Sequence, residues 1–276
     1  MGTNKTGWEP EKRVHFDEIV VNYDKIRPEY PSKLITDVID FMGSGKKKAL
    51  EIGAGTGKAT VPFLKAGYNV TAVELGENMA EFLQEKFKEY KHFNVIVSAF
   101  EDASLDKNSY DLIYAASAFH WVDAEIGCPK VFDLLKSGGV FALLRYNFLE
   151  IYNKVLSDEI DAIYDKFYFS YYTSKQRSIK NRRTHDEFRK PSAILMNYGF
   201  EDMKKYGFDD INLNFHDVMW TYNADEYIEL CDTLADHRSL PEKNKVALYA
   251  GLKDVIIKHG GYVKGEDVFQ LYMGRK

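Results

Sequence analysis

From about residue 48 to residue 146, short apolar runs alternate with stretches of helical spacing. Lys48 to Ile52 reads as a strand, and Lys58 to Ala66 as a helix ended by Gly67. Asn69 to Val73 is a second strand. Glu77 to Tyr90 follows as an amphipathic helix, with Met79, Phe82, Leu83 and Phe87 near a 3.6-residue period. Phe93 to Val97 and Tyr110 to Ala115 are the third and fourth strands. Ala124 to Leu135 is a helix that Ser137-Gly138-Gly139 closes, and Val140 to Leu144 is a fifth strand. Strands that alternate with helices imply right-handed crossovers and a mostly parallel sheet with helices on both faces.

Outside this block the pattern changes. Pro31 to Phe41 reads as an introductory helix. Residues 150 to 195 are helical and rich in Tyr, Phe and Lys. Tyr206 to Asn214 fits a strand, Ala224 to Asp236 and Pro241 to His259 fit helices, and Val268 to Met273 fits a final strand. The chain therefore divides into N-terminal helices with a core over 1–146, an inserted helical substrate cap over 147–203, and the remaining core strands with a helical insertion over 204–276. A length of 276 residues is enough for a sizeable core.

The net charge of −5 gives no overall attraction for a phosphate backbone, so nucleic acid is not an expected partner. The runs Lys46-Lys47-Lys48 and Lys180-Asn181-Arg182-Arg183 read as solvated loop and surface. The two cysteines, Cys128 and Cys231, lie far apart in no metal-ligand spacing; no metal is expected, and a reducing cytosol is. Met1 to Arg13 lacks the apolar core of a signal peptide, and no stretch of about 18 apolar residues is present, so neither export nor membrane insertion is expected. The aromatic count, 19 Tyr, 18 Phe and 3 Trp, suits a small-molecule pocket as well as a core.

The run Glu51-Ile52-Gly53-Ala54-Gly55-Thr56-Gly57 leaves a strand and opens a helix. Its glycines permit unusual backbone angles and close approach of a ligand. Glu74 follows Gly57 by 17 residues, at the end of the second strand, where an acid accepts hydrogen bonds from ribose hydroxyls. A dinucleotide fingerprint needs a third glycine where Lys58 stands. Glu51 at the loop mouth would repel a pyrophosphate, and suits a ligand bearing an ammonium and a sulfonium. That contrast favours S-adenosylmethionine over NAD.

These runs, together with Val73-Glu74 and Ser109-Tyr110-Asp111-Leu112-Ile113, resemble the class I methyltransferases that act on small molecules. Tyr23 to Pro31, Ala118-Phe119-His120-Trp121, Tyr222 to Tyr227 and Asp236 to Pro241 are similar to the trans-aconitate methyltransferase-like branch. The resemblance implies a Rossmann-like α/β fold with a seven-stranded sheet and a reversed final hairpin. It implies cofactor contacts at Glu51, Gly53, Ala54, Gly55, Gly57, Glu74, Leu75, Phe100, Glu101 and Ala116. Tyr23 and Arg27 are expected, mainly on the resemblance, to hold the cofactor carboxylate. Many relatives carry an Asp two residues before Glu101, to bind the adenine amino group; here it is Ala99, so backbone groups, Glu101 or Asp102 are expected to replace it.

Methyl transfer from a sulfonium is an in-line displacement for which the protein supplies position and electrostatics. His120 is the candidate catalytic residue, as a base or a donor to substrate; the alternative is a structural plug beneath the cofactor, shared with Trp121. Trp121, Arg145, Tyr146 and Trp220 are candidate substrate contacts, Arg145 for an anionic acceptor such as a carboxylate. Tyr152, Tyr168, Tyr171 and Tyr172 are lid or core aromatics, and His237 and Arg238 stand in the tail helices. The competing readings are an NAD-type oxidoreductase on a similar fold and a non-catalytic S-adenosylmethionine-binding regulator. The charge, and the absence of an Asn/Asp-Pro-Pro-Tyr run at Ala115-Ala116-Ser117-Ala118, count against nucleic-acid methylation.

Overall fold

The computed structural model describes residues 15–45, 47–172, 185–190 and 203–276. The predicted cap therefore falls partly outside the described residues, as do Lys46 and the basic cluster at 180–183. Seven strands are present: β1 (Lys48–Ile52), β2 (Asn69–Glu74), β3 (Phe93–Val97), β4 (Tyr110–Ala116), β5 (Leu135–Ile151), β6 (Asp209–Asn223) and β7 (Tyr262–Arg275). They form one sheet in the order β3-β2-β1-β4-β5-β7-β6. β3, β2, β1, β4 and β5 pair in parallel. At the other end of the order, the Gly138 N–H donates to the Lys276 carbonyl and the Lys276 N–H to Gly139, so the start of β5 lies beside the end of β7. β7 thus runs against its neighbour. This is the mostly parallel sheet that the alternation of runs predicts, with the seven strands and Rossmann-like order that the resemblance implies.

β1 and β4 are buried along nearly their whole length, as strands covered on both faces must be. The last three strands are longer than their apolar runs. β5 begins at Leu135, directly after the helix Ala124–Leu134, so Ser137-Gly138-Gly139 lies within the strand rather than closing the helix. The ladder bonds to Lys276 hold it there. β6 and β7 likewise outrun the predicted 206–214 and 268–273. The added residues mix buried apolar positions such as Leu135, Leu149, Ile151 and Val263 with polar and exposed ones, so no continuous apolar run marks them.

Two compact units account for the described residues. One comprises those of Pro28–Asn147, His185–Asp217 and Val268–Lys276. Its core gathers Leu50, Ile52, Val73, Ile113, Phe119, Phe141, Leu143 and Phe208 between sheet and helices. Burying each such side chain contributes about 1.5–3 kcal/mol.

The other comprises the described residues of Met1–Arg27, Phe148–Thr184 and Val218–Asp267. Its core packs Leu156, Ile160, Tyr168, Tyr172, Leu248, Leu252 and Ile256, from the helices Lys154–Phe167 and Glu242–Lys258 and the segment after the first of them. Asn153 caps the first of these helices by accepting from the Leu156 N–H. Asn223 and Glu226 form a capping box on the helix Ala224–Asp232. The described residues before Pro28, 15–27, fall in this helical unit.

Candidate functional site

The glycine run follows β1 directly. Gly53, Gly55 and Gly57 have φ of 66°, 56° and 80°, in the left-handed region that disfavours a side chain. A Cβ at Gly53 would stand 2.6 Å from the Ala118 Cβ, and one at Gly57 would stand 2.5 Å from the Phe87 ring. The chain passes here too closely for any other residue. The Gly53 N–H donates to the Val73 carbonyl at 2.8 Å, and the Gly57 N–H to Ala54 at 2.9 Å. Lys86 donates to the Thr56 carbonyl at 2.9 Å.

Glu74, at the end of β2, accepts from the Gly55 N–H through Oε2 at 2.7 Å and from the Gly76 N–H through Oε1 at 3.1 Å. The predicted ribose acid is thus also a brace for the loop. Leu75 lies beside it, Ala116 ends β4, and Phe100 and Glu101 follow β3. Glu51, Gly53, Ala54, Gly55, Gly57, Glu74, Leu75, Phe100, Glu101 and Ala116 accordingly share the carboxyl edge of four adjacent strands.

Two of these residues are oriented in ways that the sequence does not reveal. Glu51 is 1% exposed, not open at the loop mouth. It lies opposite Tyr114 in the β1–β4 register, and its Oε2 accepts from the Tyr114 hydroxyl at 2.9 Å and the Thr60 hydroxyl at 2.5 Å. Burial, reinforced by the negative charge of Glu74 and opposed by these two hydrogen bonds, pushes its pKa up to about 8. Burial and Glu51 also hold the Tyr114 phenol well above its usual value. Phe100 is buried in the core, with the Lys130 ammonium 5.2 Å from its ring centroid. Lys130 donates to the carbonyls of Glu101 and Ala103 at 3.0 and 2.7 Å, which pins the segment after β3. The Ala99 carbonyl accepts from the Asp102 and Ala103 N–H groups.

His120 and Trp121 form a single turn, Phe119–Trp121, after β4, with ring centroids 5.2 Å apart. Both are half-buried. Arg145 and Tyr146 lie on β5, and the Tyr146 ring stands 5.2 Å from Phe269 and 6.3 Å from Tyr30. The Tyr30 hydroxyl donates to Ser117 Oγ at 3.0 Å.

Tyr23, Arg27 and Trp220 belong to the helical unit. There Arg27 donates to the Thr233 carbonyl at 2.7 Å and lies 5.0 Å from the Tyr23 ring centroid. The Trp220 indole N–H donates to Asp267 Oδ1 at 3.0 Å. Its ring leaves no room for a side chain at Gly265, where a Cβ would stand 2.5 Å away. Burial raises the Asp267 carboxyl to about 7, against the lowering effect of the Trp220 bond and the Arg27 charge. In the same unit His237 lies between Asp236, at 3.0 Å, and the Tyr164 hydroxyl, at 2.9 Å.

Sequence reasoning missed Asp267, Thr60, Tyr114 and Gln270. Two of them carried a signal. Asp267 is an acid at the head of an apolar run, and Gln270 is a polar residue inside it. Among the described residues no group of His, Cys, Asp and Glu is arranged to hold a metal.

Residues 50–143 match the family model of a methyltransferase domain. An uncharacterised methyltransferase of Mycobacterium tuberculosis is 31% identical over 129 residues, 47% of this chain and 51% of that protein. A Saccharomyces cerevisiae protein named as an S-adenosylmethionine-dependent methyltransferase is 29% identical over 187 residues, 66% of this chain and 60% of that one. The chain spans about half the length of the mycobacterial relatives it matches. A structure from Anaeromyxobacter dehalogenans described as a type II methyltransferase superposes with a TM-score of 0.61 at 19% identity, covering 90% of this chain and 97% of that one. A Haemonchus contortus phosphoethanolamine N-methyltransferase, solved with S-adenosylmethionine, gives 0.52 at 17% identity, covering 94% of this chain and 57% of that one. The cofactor of such domains is S-adenosylmethionine.

Proposed function

We propose that this chain, which carries a methyltransferase domain over residues 50–143, binds S-adenosylmethionine and transfers its methyl group to a small molecule, with a carboxylate as the first candidate. The observation that carries the reading is the loop itself: three left-handed glycines at the end of β1, braced through the Gly55 N–H by the carboxylate of Glu74. This edge fits the cofactor. An acid stands at the end of β2 for the ribose, and a second acid is buried behind the loop.

When bound, the cofactor supplies an electrophilic methyl group on sulfur; the protein's share is alignment and electrostatics, which lowers such barriers by about 7 to 11 kcal/mol at best. Glu74 holds the loop and receives the ribose. Gly53, Ala54, Gly55 and Gly57 present backbone, and Leu75, Phe100, Glu101 and Ala116 flank it. His120 and Trp121, beyond β4, and Arg145 and Tyr146, on β5, are assigned to the acceptor. His120 acts as base only where the accepting atom carries a proton at neutral pH. Trp220, which belongs to the helical unit, is read as a further substrate aromatic.

The trans-aconitate methyltransferase-like branch is the subgroup assigned, on the runs at 23–31, 118–121, 222–227 and 236–241. A cytosolic setting fits the two buried free cysteines, and a small-molecule rather than a nucleic-acid partner fits the net charge of −5. No helix among the described residues is long and apolar enough to cross a membrane.

Calorimetry with S-adenosylmethionine, S-adenosylhomocysteine and NADH tests the cofactor. A screen of small acids and phenols for methyl uptake tests the reaction. Tight NADH binding without binding of the sulfonium ligand overturns the reading. Cofactor binding with no methyl uptake across the screen leaves a binding protein in place of an enzyme.

A further inference from the structure

Arg145 stands half-buried on β5, and a directional chain of amides holds it. The carbonyl of Phe188 can only accept a hydrogen bond, so the Gln270 Nε2 donates to it, at 2.6 Å. That turns Gln270 Oε1 toward Asn147, whose Nδ2 donates to it at 2.6 Å. Asn147 must then present Oδ1 to Arg145, and it accepts from the Arg145 Nε–H at 3.3 Å. Gln270 has no solvent exposure at all. The polarity of the whole chain is therefore set by one backbone carbonyl, in the unit that carries the glycine loop.

A guanidinium has five N–H donors. Arg145 uses one of them. Its Nη1 is buried and has no hydrogen-bond acceptor among the described residues, and no ion pair to a carboxylate is formed there. Burying a cation without a counter-ion is costly, and the protein accepts that cost while fixing the group in place. A guanidinium whose donors lack a protein acceptor matches a carboxylate or another oxyanion.

We infer that Arg145 receives the anionic group of the methyl acceptor, and that Asn147 and Gln270 are positioning residues that aim it. The inference rests on the proposed function, because the acceptor is the molecule placed there. Asn147 and Gln270 touch neither cofactor nor acceptor; they act through the direction in which the guanidinium points. The site therefore prefers anionic acceptors over neutral molecules of the same shape.

The test is calorimetry on the full chain, with and without S-adenosylhomocysteine. The probes are acetate, succinate, citrate, benzoate and inorganic phosphate, with succinamide as the uncharged counterpart of succinate. At least one anion is expected to bind, and succinate more tightly than succinamide. Arg145→Gln is expected to lower affinity for the bound anion at least tenfold, with S-adenosylhomocysteine binding unchanged. Asn147→Asp supplies Arg145 with an internal counter-ion and is expected to weaken the anion several-fold. Gln270→Leu, which leaves Arg145 in place but unaimed, is expected to narrow the succinate-to-succinamide ratio, a change that a merely structural role would not produce. Should Gln270→Leu fail to fold, Asn147→Asp carries the same test.

Absence of binding by every anion, equal binding of succinate and succinamide, or an Arg145→Gln protein that binds the anion like wild type overturns the inference. Arg145-dependent anion binding in a protein that ignores S-adenosylhomocysteine would instead remove the cofactor reading and leave the anion site standing.

Discussion

Replacing Glu51 by Gln removes a titrating proton from the core while keeping an oxygen for the Tyr114 and Thr60 hydroxyls, which both donate to Glu51 Oε2. The groups facing Glu51 are Thr60 on the helix after the loop, Tyr114 on β4 and Glu74 on β2; none is a cation. The folded carboxyl titrates at about 8, against an ordinary 4.5. The folded state therefore binds the proton more tightly than the unfolded state. Stability is full below the unfolded pKa and falls as pH rises toward the folded one. Over that whole interval the loss approaches about 5 kcal/mol, at 1.36 kcal/mol per pH unit. Between about pH 5 and about pH 8 the linkage relation gives a loss of about 3 to 4 kcal/mol.

Gln does not titrate, so the variant escapes this loss and shares every other pH-dependent contribution. The quantity to follow is the difference in unfolding free energy between Glu51→Gln and wild type, from urea melts of the cofactor-free protein across that pH range. The difference should grow with pH by about 3 to 4 kcal/mol in favour of the variant. A difference that stays flat would mean that Glu51 is ionised throughout, and that the loop rests on a buried charge. A cationic ligand at the loop has the converse effect. Binding of S-adenosylmethionine favours the ionised acid, so wild type should release a proton on binding near pH 7 and Glu51→Gln should not.

Three further outcomes follow from the packing and the proposed chemistry. Gly57→Ala meets both a left-handed φ of 80° and the Phe87 ring, whereas Gly67→Ala meets an equal φ of 81° in open space. Thermal unfolding should show about 1 kcal/mol lost at Gly67 and about 3 kcal/mol or more at Gly57, and equal losses would dismiss the steric argument. Tyr168→Phe deprives the buried Asp236 carboxylate of a hydroxyl donor at 2.5 Å, and should cost about 1.5 to 3 kcal/mol in urea unfolding; a loss below about 0.5 kcal/mol would show that Asp236 is satisfied without it. For an acceptor that carries a proton, His120→Ala should abolish the acid-side fall in turnover. An unchanged pH profile takes the base role from His120.

The sheet was readable because its signal is local. Each of the first five strands is an apolar run bounded by turn residues, and the glycine loop announces itself within seven positions. The long halves of β5, β6 and β7 escaped because they mix buried apolar, exposed and polar positions and so lack that contrast. The orientation of Glu51 escaped for a different reason. An acid that ends a strand before a glycine loop looks the same in sequence whether it faces ligand or core. What decides is Tyr114, 63 residues away, opposite it in the β1–β4 register. The chain from Arg145 to Phe188 is more distant still. Its links span 123 and 82 residues, and its one local trace is a glutamine inside the apolar run Val268 to Met273.

Those long-range pairings share a consequence for function. Glu51 and Arg145 are ionisable groups that lack an opposite charge within their own unit among the described residues. The acid meets that cost by keeping its proton. The guanidinium has no such option, because it stays charged at any physiological pH. Only an added charge relieves each: a cation at the loop for Glu51, an oxyanion for Arg145. Ligand charge therefore governs binding at both places in the sheet unit, and through different observables. Cofactor binding should vary with pH through Glu51, whereas anion binding at Arg145 should be insensitive to pH between about 6 and 9 for a ligand ionised throughout that range. Anion affinity that followed the titration of Glu51 would show that the two sites are coupled, and the independence argued here would be lost.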